Sequence, residues 1–292
     1  MWLYDKWNDY EIIDASWGEK LERWGKYILV RPDPQVIWKT DRTDPRWEKP
    51  NARYHRSKSG GGEWEFISLP ETWEIVCPSP GLTFRLKPFS FKHTGLFPEQ
   101  AVNWEWMYNI IKEASASSGS RPSVLNLFAY TGAATVAAAA AGAFVTHVDS
   151  SKGMVQWAKE NARVSGIPED RVRWITDDCS KFVAREIRRG HTYDAIIMDP
   201  PSYGRGPKGE IWKLEDNIYE FISLCGQLLS DSPLFVLVNS YTTGLQSSVL
   251  TYMLESAISS KHGGSTVSDE IGIPVTSSGL ALPCGCSGRW TI

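Results

Sequence analysis

The chain has 292 residues, of which 42% are hydrophobic and 22% charged, with a net charge of -3. That balance is ordinary for a soluble globular protein and excludes a uniformly basic nucleic-acid coat. A chain this long buries a sizeable core without disulfide staples and fills one large domain or two unequal ones.

The five cysteines are odd in number and lack framework spacing, and Cys284 and Cys286 stand too close together for ordinary zinc-ligand spacing. A reducing, cytoplasmic compartment is expected, and no metal site. Residues 1–10 are too polar for a signal peptide. The longest run of small apolar residues, 133–143, is too short to span a membrane and reads as a buried helix.

Residues 1–90 are dense in Trp, Gly and Pro. Their apolar runs are short (27–30, 36–38, 64–67, 73–76 and 82–86), and several are bounded by turn residues such as Pro32, Pro34, Pro78 and Pro80. This pattern predicts a small β-rich N-terminal domain over 1–90, with residues 60–62 at a hairpin tip. Within it, residues 31–58 hold eight Lys or Arg against four acids, interleaved with Trp38, Trp47 and Tyr54. Such a stretch suits a surface that meets phosphates and stacks on bases. It also suits a solvated region whose charges pair locally, and the sequence leaves both open.

Residues 99–116 have helical spacing, with Ala101, Trp104, Met107, Tyr108 and Ile111 on one face. From 123 onward buried strands (124–128, 144–148, 172–175, 193–198, 234–238) alternate with helices (132–141, 153–165, 181–189, 216–229, 246–259). Strand-like segments return near 266–273 and 280–282. Alternation of this kind means βαβ units about a mostly parallel sheet, so 91–292 is expected to form an α/β, Rossmann-like domain.

In an open parallel sheet, ligands bind beyond the carboxyl ends of the strands. The first of these strands runs into Asn126-Leu127-Phe128-Ala129-Tyr130-Thr131-Gly132. A small residue at 132, where an Ala-rich helix opens, lets a ligand approach backbone N–H groups at the helix N-terminus. The G-x-G-x-x-G loop of dinucleotide enzymes is absent, which argues against NAD or FAD. The second strand ends at Asp149, which can accept both hydroxyl protons of a ribose or, with Ser150 and Ser151 following, cap the next helix. After the third strand, Asp177-Asp178-Cys179 offers a carboxylate to an adenine amine and a backbone N–H to a ring nitrogen; helix capping is the alternative. The fourth strand ends in Asp199-Pro200-Pro201-Ser202-Tyr203. Two prolines directly after a buried strand stop it and hold the backbone rigid with carbonyls free. Asp199 and the Pro200 carbonyl can then grip donors on a planar base, amide or amine.

In this order the motifs resemble the class I S-adenosylmethionine-dependent methyltransferases. Among them they resemble the bacterial 23S ribosomal-RNA large-subunit methyltransferases, which carry N-L-F-x-Y-T-G, an acid ending the second strand, D-D or A-D before the third helix, and D-P-P-[STK]-[FY]. The resemblance covers about residues 94–238, and Thr94-Gly95-Leu96-Phe97-Pro98-Glu99-Gln100 is similar to the family's T-G-x-F-x-x-Q segment. It implies a seven-stranded Rossmann-like methyltransferase sheet, S-adenosyl-L-methionine as cofactor and ribosomal RNA as partner. By the same resemblance Phe128, Tyr130 and Gly132 line the methionine part of the cofactor, and Asp149 with Ser150 holds the ribose. Asp178 and Cys179 hold the adenine, and Asp199, Pro200 and Tyr203 meet the target. Thr94, Phe97 and Gln100 close over the cofactor, and Asn161 supports the Asp149 loop.

The chain also departs from parts of that family. Cytosine-C5 members need a thiolate to attack the ring, and a Cys follows their fifth strand; here Asn239-Ser240-Tyr241-Thr242-Thr243 stands, and no Cys follows Pro201. Cys284 is the one late alternative, with a buried or incidental thiol as its plainer reading. A nitrogen target, guanine N7 or an exocyclic amine, is therefore preferred. Ser202 intervenes before Tyr203, where N-methylating members place an aromatic residue directly after D-P-P. The family's separate N-terminal RNA-binding module of the PUA type is not recognisable, so RNA contact falls to residues 1–90. Residues 202–210 carry Gly204, Gly206 and Gly209 with Arg205 and Lys208, and read as a lid or RNA-contacting loop, with Trp212 and Lys213 opening the next helix. Methylation of a protein or a small molecule, and RNA binding without catalysis, are the alternative functions.

Overall fold

The computed structural model describes residues 1–57, 61–89, 92–205, 211–242 and 244–292. Lys58 of the basic stretch, Gly60 of the expected hairpin tip, residues 206–210 of the glycine-rich loop and Thr243 lie outside these. The chain divides into two compact units. One holds Trp2–Val102 with Ile271–Cys284; the other holds Asn103–Glu270 with Gly285–Ile292 and Met1.

The unit built on Trp2–Val102 is rich in β-structure: β1 (Trp2–Leu3), β2 (Tyr10–Ser16), β3 (Glu19–Trp24), β4 (Tyr27–Pro32), β5 (Ala52–Arg56), β6 (Gly62–Phe66), β7 (Trp73–Cys77) and β8 (Leu82–Leu86). Strands β2 to β6 pair in chain order, antiparallel except for the parallel β4–β5 step, and β7 and β8 form a separate hairpin. The apolar runs in the sequence mark β4 and β6 to β8 but not β2 or β3, because those two strands carry buried acids. Glu22 is fully buried and accepts hydrogen bonds from Arg31 Nε (2.6 Å), Arg31 Nη2 (2.7 Å) and the Tyr10 hydroxyl (2.8 Å). Asp14 accepts from Trp47 Nε1 (2.8 Å) and the Ser277 hydroxyl (2.7 Å). Ile13, Leu21, Val30 and Trp47 form the core beneath them. Residues 36–38, expected as a strand, form no strand and instead accept backbone hydrogen bonds from Trp17 and Gly18.

This packing decides between the two readings of the basic stretch for most of its members. Arg31 is buried against Glu22, Arg42 and Arg53 share Glu19, and Arg46 pairs with Asp44. Trp47 and Tyr54 are core residues. Local pairing and burial therefore account for four of its cations and two of its three aromatics.

The other unit follows the βαβ plan. In chain order come α1 (Ala101–Ser118), β9 (Ser123–Leu127), α2 (Ala133–Ala140), β10 (Phe144–Asp149), α3 (Lys152–Val164), β11 (Val172–Thr176), α4 (Cys179–Arg189) and β12 (Ala195–Met198). A short hairpin, β13 (Tyr203–Arg205) and β14 (Ile211–Lys213), precedes α5 (Leu214–Cys225), β15 (Phe235–Ser240), α6 (Ser247–Leu254), β16 (Ser265–Pro274) and β17 (Ala281–Thr291). The sheet order is β16-β17-β15-β12-β9-β10-β11, seven strands, with the two-residue β1 beside β16. Strands β9, β10, β11, β12 and β15 are parallel neighbours, and β17 runs antiparallel to β15. β10 and β11 lie on one side of β9, β12 and β15 on the other, so the order reverses at β9, where an α/β sheet opens its ligand crevice. Residues 214–225 enter their helix two residues earlier than the periodicity predicts, and Trp212 and Lys213 belong to β14 instead. Among the described residues no helix is long and apolar enough to cross a membrane, and no group of three or more His, Cys, Asp or Glu could hold a metal ion.

Glu22 gives the β-rich unit a testable acid sensitivity. Burial pushes its carboxyl up, but Arg31, Lys20 and the hydrogen bonds from Arg31 and Tyr10 outweigh burial and bring it down to about 2. A folded-state value below the unfolded one stabilises the fold above the unfolded value, and that contribution disappears as the pH falls toward 2. Urea unfolding followed by tryptophan fluorescence should show wild-type stability declining over this interval. Glu22→Gln should flatten that decline and cost about 3–5 kcal/mol at neutral pH, because Arg31 is left buried without its counter-charge. Equal acid profiles for the two proteins would refute the assignment.

Candidate active site

Register brings the candidate residues together. Ile175, Val148, Leu127, Met198 and Val238 are successive partners across β11, β10, β9, β12 and β15. The residues that follow them, Thr176, Asp149, Phe128, Asp199 and Asn239, therefore stand side by side at the sheet's carboxyl edge. The motifs read in the sequence share one edge because the parallel strands are in register at their carboxyl ends.

The turn after β9 is left-handed at two residues that resist that conformation. Phe128 has φ 54° and Tyr130 φ 50°, followed by Gly132 at φ 80°. Each non-glycine residue held there costs about 1–3 kcal/mol, and a set of hydrogen bonds opposes the strain. Phe128 N–H donates to Cys179 Sγ (3.3 Å), Ala129 N–H to the Val148 carbonyl (3.1 Å) and Tyr130 N–H to Asp149 Oδ2 (2.9 Å). Buried Asn161 donates to the Thr131 carbonyl (2.8 Å). Beneath the turn Thr135 links Asn126 (2.9 Å) to His147 (2.9 Å), whose imidazole burial pushes down to about 3 and so keeps neutral. Gly132 has a second reason to lack a side chain: a Cβ there would lie 2.7 Å from Ala158 Cβ of α3.

Asp149 is half-buried, and burial pushes its carboxyl up against the lowering effect of the Ser151 and Tyr130 N–H groups. Ser151, not Asp149, caps α3, through Oγ and Met154 N–H (3.4 Å). Asp149 Oδ1 instead accepts Ser151 N–H (2.8 Å), and Ser150 is exposed beside it. Asp178 does cap its helix, taking Lys181 N–H on Oδ1 (2.9 Å). The adjoining Asp177 is ion-paired with Arg185. Cys179 begins α4 buried, and burial pushes its thiol well up, so it serves the turn as a neutral acceptor for Phe128 N–H. An open groove of about 320 Å³ runs beside Asp178, lined by Lys181, Ile211, Trp212 and Phe221 among others.

Beyond β12, Asp199 is half-buried, Pro200 buried and Tyr203 half-exposed. The stem of the expected lid is an ordered hairpin. Trp212, on β14, fastens it twice: its Nε1–H donates to the Pro201 carbonyl (2.7 Å), and its ring lies 5.5 Å from Phe128 and 5.7 Å from Phe221. Thr242, after β15, donates to Ser202 Oγ (2.7 Å). One indole thus touches both the turn after β9 and the Asp199-Pro200-Pro201 loop. Sequence reasoning treats Trp212 only as a helix start; an aromatic residue closing a glycine-rich insertion is the signal that could have marked it. Thr94, Phe97 and Gln100 belong to the other unit. There Thr94 is fully buried, Phe97 lies 5.5 Å from His93, and Gln100 ends a short 3-10 turn.

Comparison with known proteins bears directly on this geometry. The family profile of S-adenosylmethionine-dependent methyltransferases matches residues 41–231. A SAM-dependent methyltransferase from Agrobacterium tumefaciens superposes with a TM-score of 0.90 at 36% identity, over 99% of this chain and 92% of that one. Among curated proteins, the ribosomal RNA large subunit methyltransferase K/L of Shewanella baltica (strain OS195) is 33% identical over 234 residues, 71% of this chain and 31% of that protein. Its counterpart in Shewanella pealeana is 27% identical over 223 residues, 70% of this chain and 30% of that protein. The chain thus spans under a third of the length of these two curated relatives. It belongs to the S-adenosylmethionine-dependent methyltransferase family, whose cofactor is S-adenosylmethionine.

Gly132→Ala should therefore destabilise the protein by about 2 kcal/mol or more, since the new methyl meets Ala158 and the backbone is left-handed. Thermal unfolding measures this; a variant as stable as wild type would show that the turn does not need glycine.

Proposed function

We propose that the chain transfers the methyl group of S-adenosylmethionine to a nitrogen atom of an RNA base, with ribosomal RNA as the substrate class. The observation that carries this reading is the row of Asp149, Phe128 and Asp199 along one sheet edge, flanked by Asp178. That donor and acceptor set fits the cofactor. Each Asp149 oxygen accepts one backbone N–H, and each has a second lone pair for a ribose hydroxyl. Asp178 spends Oδ1 on its cap, leaving Oδ2 for the adenine amine, while Cys179 N–H meets a ring nitrogen. Phe128, Tyr130 and Gly132 line the methionine part, and Ser150 borders the ribose. The RNA assignment draws on the names of the curated relatives, and the β-rich N-terminal domain, residues 1–90, is its contact region.

The bound cofactor supplies a methyl carbon already activated by its sulfonium. The chain's own residues position the acceptor. Asp199 and the Pro200 carbonyl, stiffened by Pro201, hold the donors of a planar base, and Tyr203 stacks on it. For an exocyclic amine, Asp199 takes the departing proton; for guanine N7 the lone pair is free and no base is required.

The cysteines support nitrogen over cytosine C5. Cys286 sits across from Ser240 at the carboxyl end of β15, close to where a C5 enzyme would need its thiol. It is buried, donates to the Leu245 carbonyl (3.4 Å), and is pushed up to about 11. Burial likewise raises Cys179, Cys225 and Cys284. A nucleophilic cysteine must be a thiolate, and these four are held as thiols at neutral pH.

Titration calorimetry with S-adenosylhomocysteine should show binding to wild type and about 100-fold weaker binding to Asp149→Ala, the loss of two hydrogen bonds to a charged group. No binding by wild type would overturn the cofactor assignment. After incubation with cofactor and unmodified ribosomal RNA, nucleoside mass spectrometry should detect a methylated guanosine or an N-methylated base. A 5-methylcytidine product would overturn the nitrogen assignment.

A further inference from the structure

The turn between β2 and β3 carries a strained residue that is largely exposed. Trp17 holds φ 53° and Gly18 φ 80°. Glycine adopts that left-handed backbone freely, whereas sterics oppose it for a bulky aromatic residue. Burial does not repay the strain, because Trp17 is 58% exposed.

The turn is held there from outside. Segment 36–40 lies across it: Trp17 N–H donates to the Trp38 carbonyl and Gly18 N–H to the Val36 carbonyl, both at 3.0 Å. Trp38 Nε1–H donates to the Ala15 carbonyl (2.6 Å), and Ser16 and Thr40 bond in both directions (2.7 and 2.9 Å). The Trp17 indole N–H donates to the Thr40 carbonyl (3.1 Å). The polar atom of the indole is thus spent inside the protein, and the ring is left as a fixed apolar plate. Lys39 Nζ lies 4.9 Å from the ring centroid and, among the described residues, has no carboxylate partner. Ile37, 85% exposed, and Trp38, 37% exposed, continue the surface.

We infer that Trp17, with Trp38 and Lys39, is a stacking platform for single-stranded RNA; this rests on the reading of RNA as substrate. A fixed ring accepts the face of any base, and a lysine beside it meets the adjoining phosphate, the pairing that single-strand grooves use. Protein interfaces, by contrast, are depleted in lysine. Of the basic stretch that the sequence nominates, this corner keeps a cation with no carboxylate partner among the described residues, beside exposed rings.

Fluorescence anisotropy with a labelled single-stranded RNA of mixed sequence tests the platform. Trp17→Gly should bind that RNA about tenfold more weakly, keep wild-type affinity for S-adenosylhomocysteine, and melt at or above the wild-type temperature, since glycine relieves the left-handed backbone. Lys39→Ala should lower the salt dependence of RNA binding by about one phosphate contact. Unchanged RNA affinity in Trp17→Gly, with wild type binding both ligands, would overturn the platform and leave the RNA reading standing. A lower melting temperature for Trp17→Gly would give Trp17 a structural role and overturn the platform as well. So would a change of oligomeric state at unchanged RNA affinity, which would make the patch a contact between copies. Wild type that binds S-adenosylhomocysteine but no RNA would bring down the RNA reading itself.

Discussion

Two backbone N–H groups, those of Phe128 and Tyr130, are held by a thiol and a carboxylate that belong to other strands' ends, and the rest of the site depends on that arrangement. Left alone, residues 128–132 would relax out of the left-handed region, because neither aromatic side chain tolerates it well. Cys179 at the head of α4 and Asp149 at the end of β10 fix the turn from two sides, and Asn161 of α3 fixes it from a third. The turn after the central strand therefore takes its shape from two neighbouring βα units, β10–α3 and β11–α4. Asp149 serves twice in this scheme, as a brace for Tyr130 and as an acceptor whose partial burial leaves it poorly solvated. A group in that position gains from any further donor that a ligand brings.

Much of this was legible from residue order. The apolar runs of β9, β12 and β15 are clear because a strand covered on both faces needs no polar alternation, and the register of the parallel strands then places the motifs at one edge. What stayed hidden was whatever depended on a partner far along the chain. Glu22 and Asp14 look like surface residues until Arg31, Tyr10, Trp47 and Ser277 are folded around them, so β2 and β3 were invisible to a reading of hydrophobic periodicity. Asp149 and Asp178 were both open to capping. The structure separates them, because Ser151 caps one helix while Asp178 caps the other. The glycine-rich insertion read as loop, and only its pairing with residues 211–213 reveals a stem. Trp212 offers one local signal, an aromatic residue closing a glycine-rich insertion, but its role is defined only where Phe128, Phe221 and the Pro201 carbonyl converge.

The charged stretch over residues 31–58 illustrates why composition misleads about surfaces. A positive balance says nothing of where the carboxylates lie, and Glu19 and Glu22, outside the stretch, neutralise three of its arginines. The aromatic residues divide in the same way: Trp47 and Tyr54 are core, while Trp17, outside the stretch, is exposed. Charge and aromatic content become a binding surface only after local pairing and packing have taken their share.

The return of the chain to the β-rich unit after the parallel sheet has a consequence for the order of synthesis. Residues 271–284 belong to the β-rich unit, where Val275 bridges to Ile12, Thr276 N–H donates to the Ile12 carbonyl, and the Ser277 hydroxyl reaches Asp14. Domains ordinarily fold as they emerge, N-terminal first. Here β2 is made early, yet one of Asp14's donors and the bridge at Ile12 arrive only after the whole parallel sheet has been translated. The β-rich unit must wait, incompletely paired, through the synthesis of its neighbour, and it closes when residues 271–284 return to it.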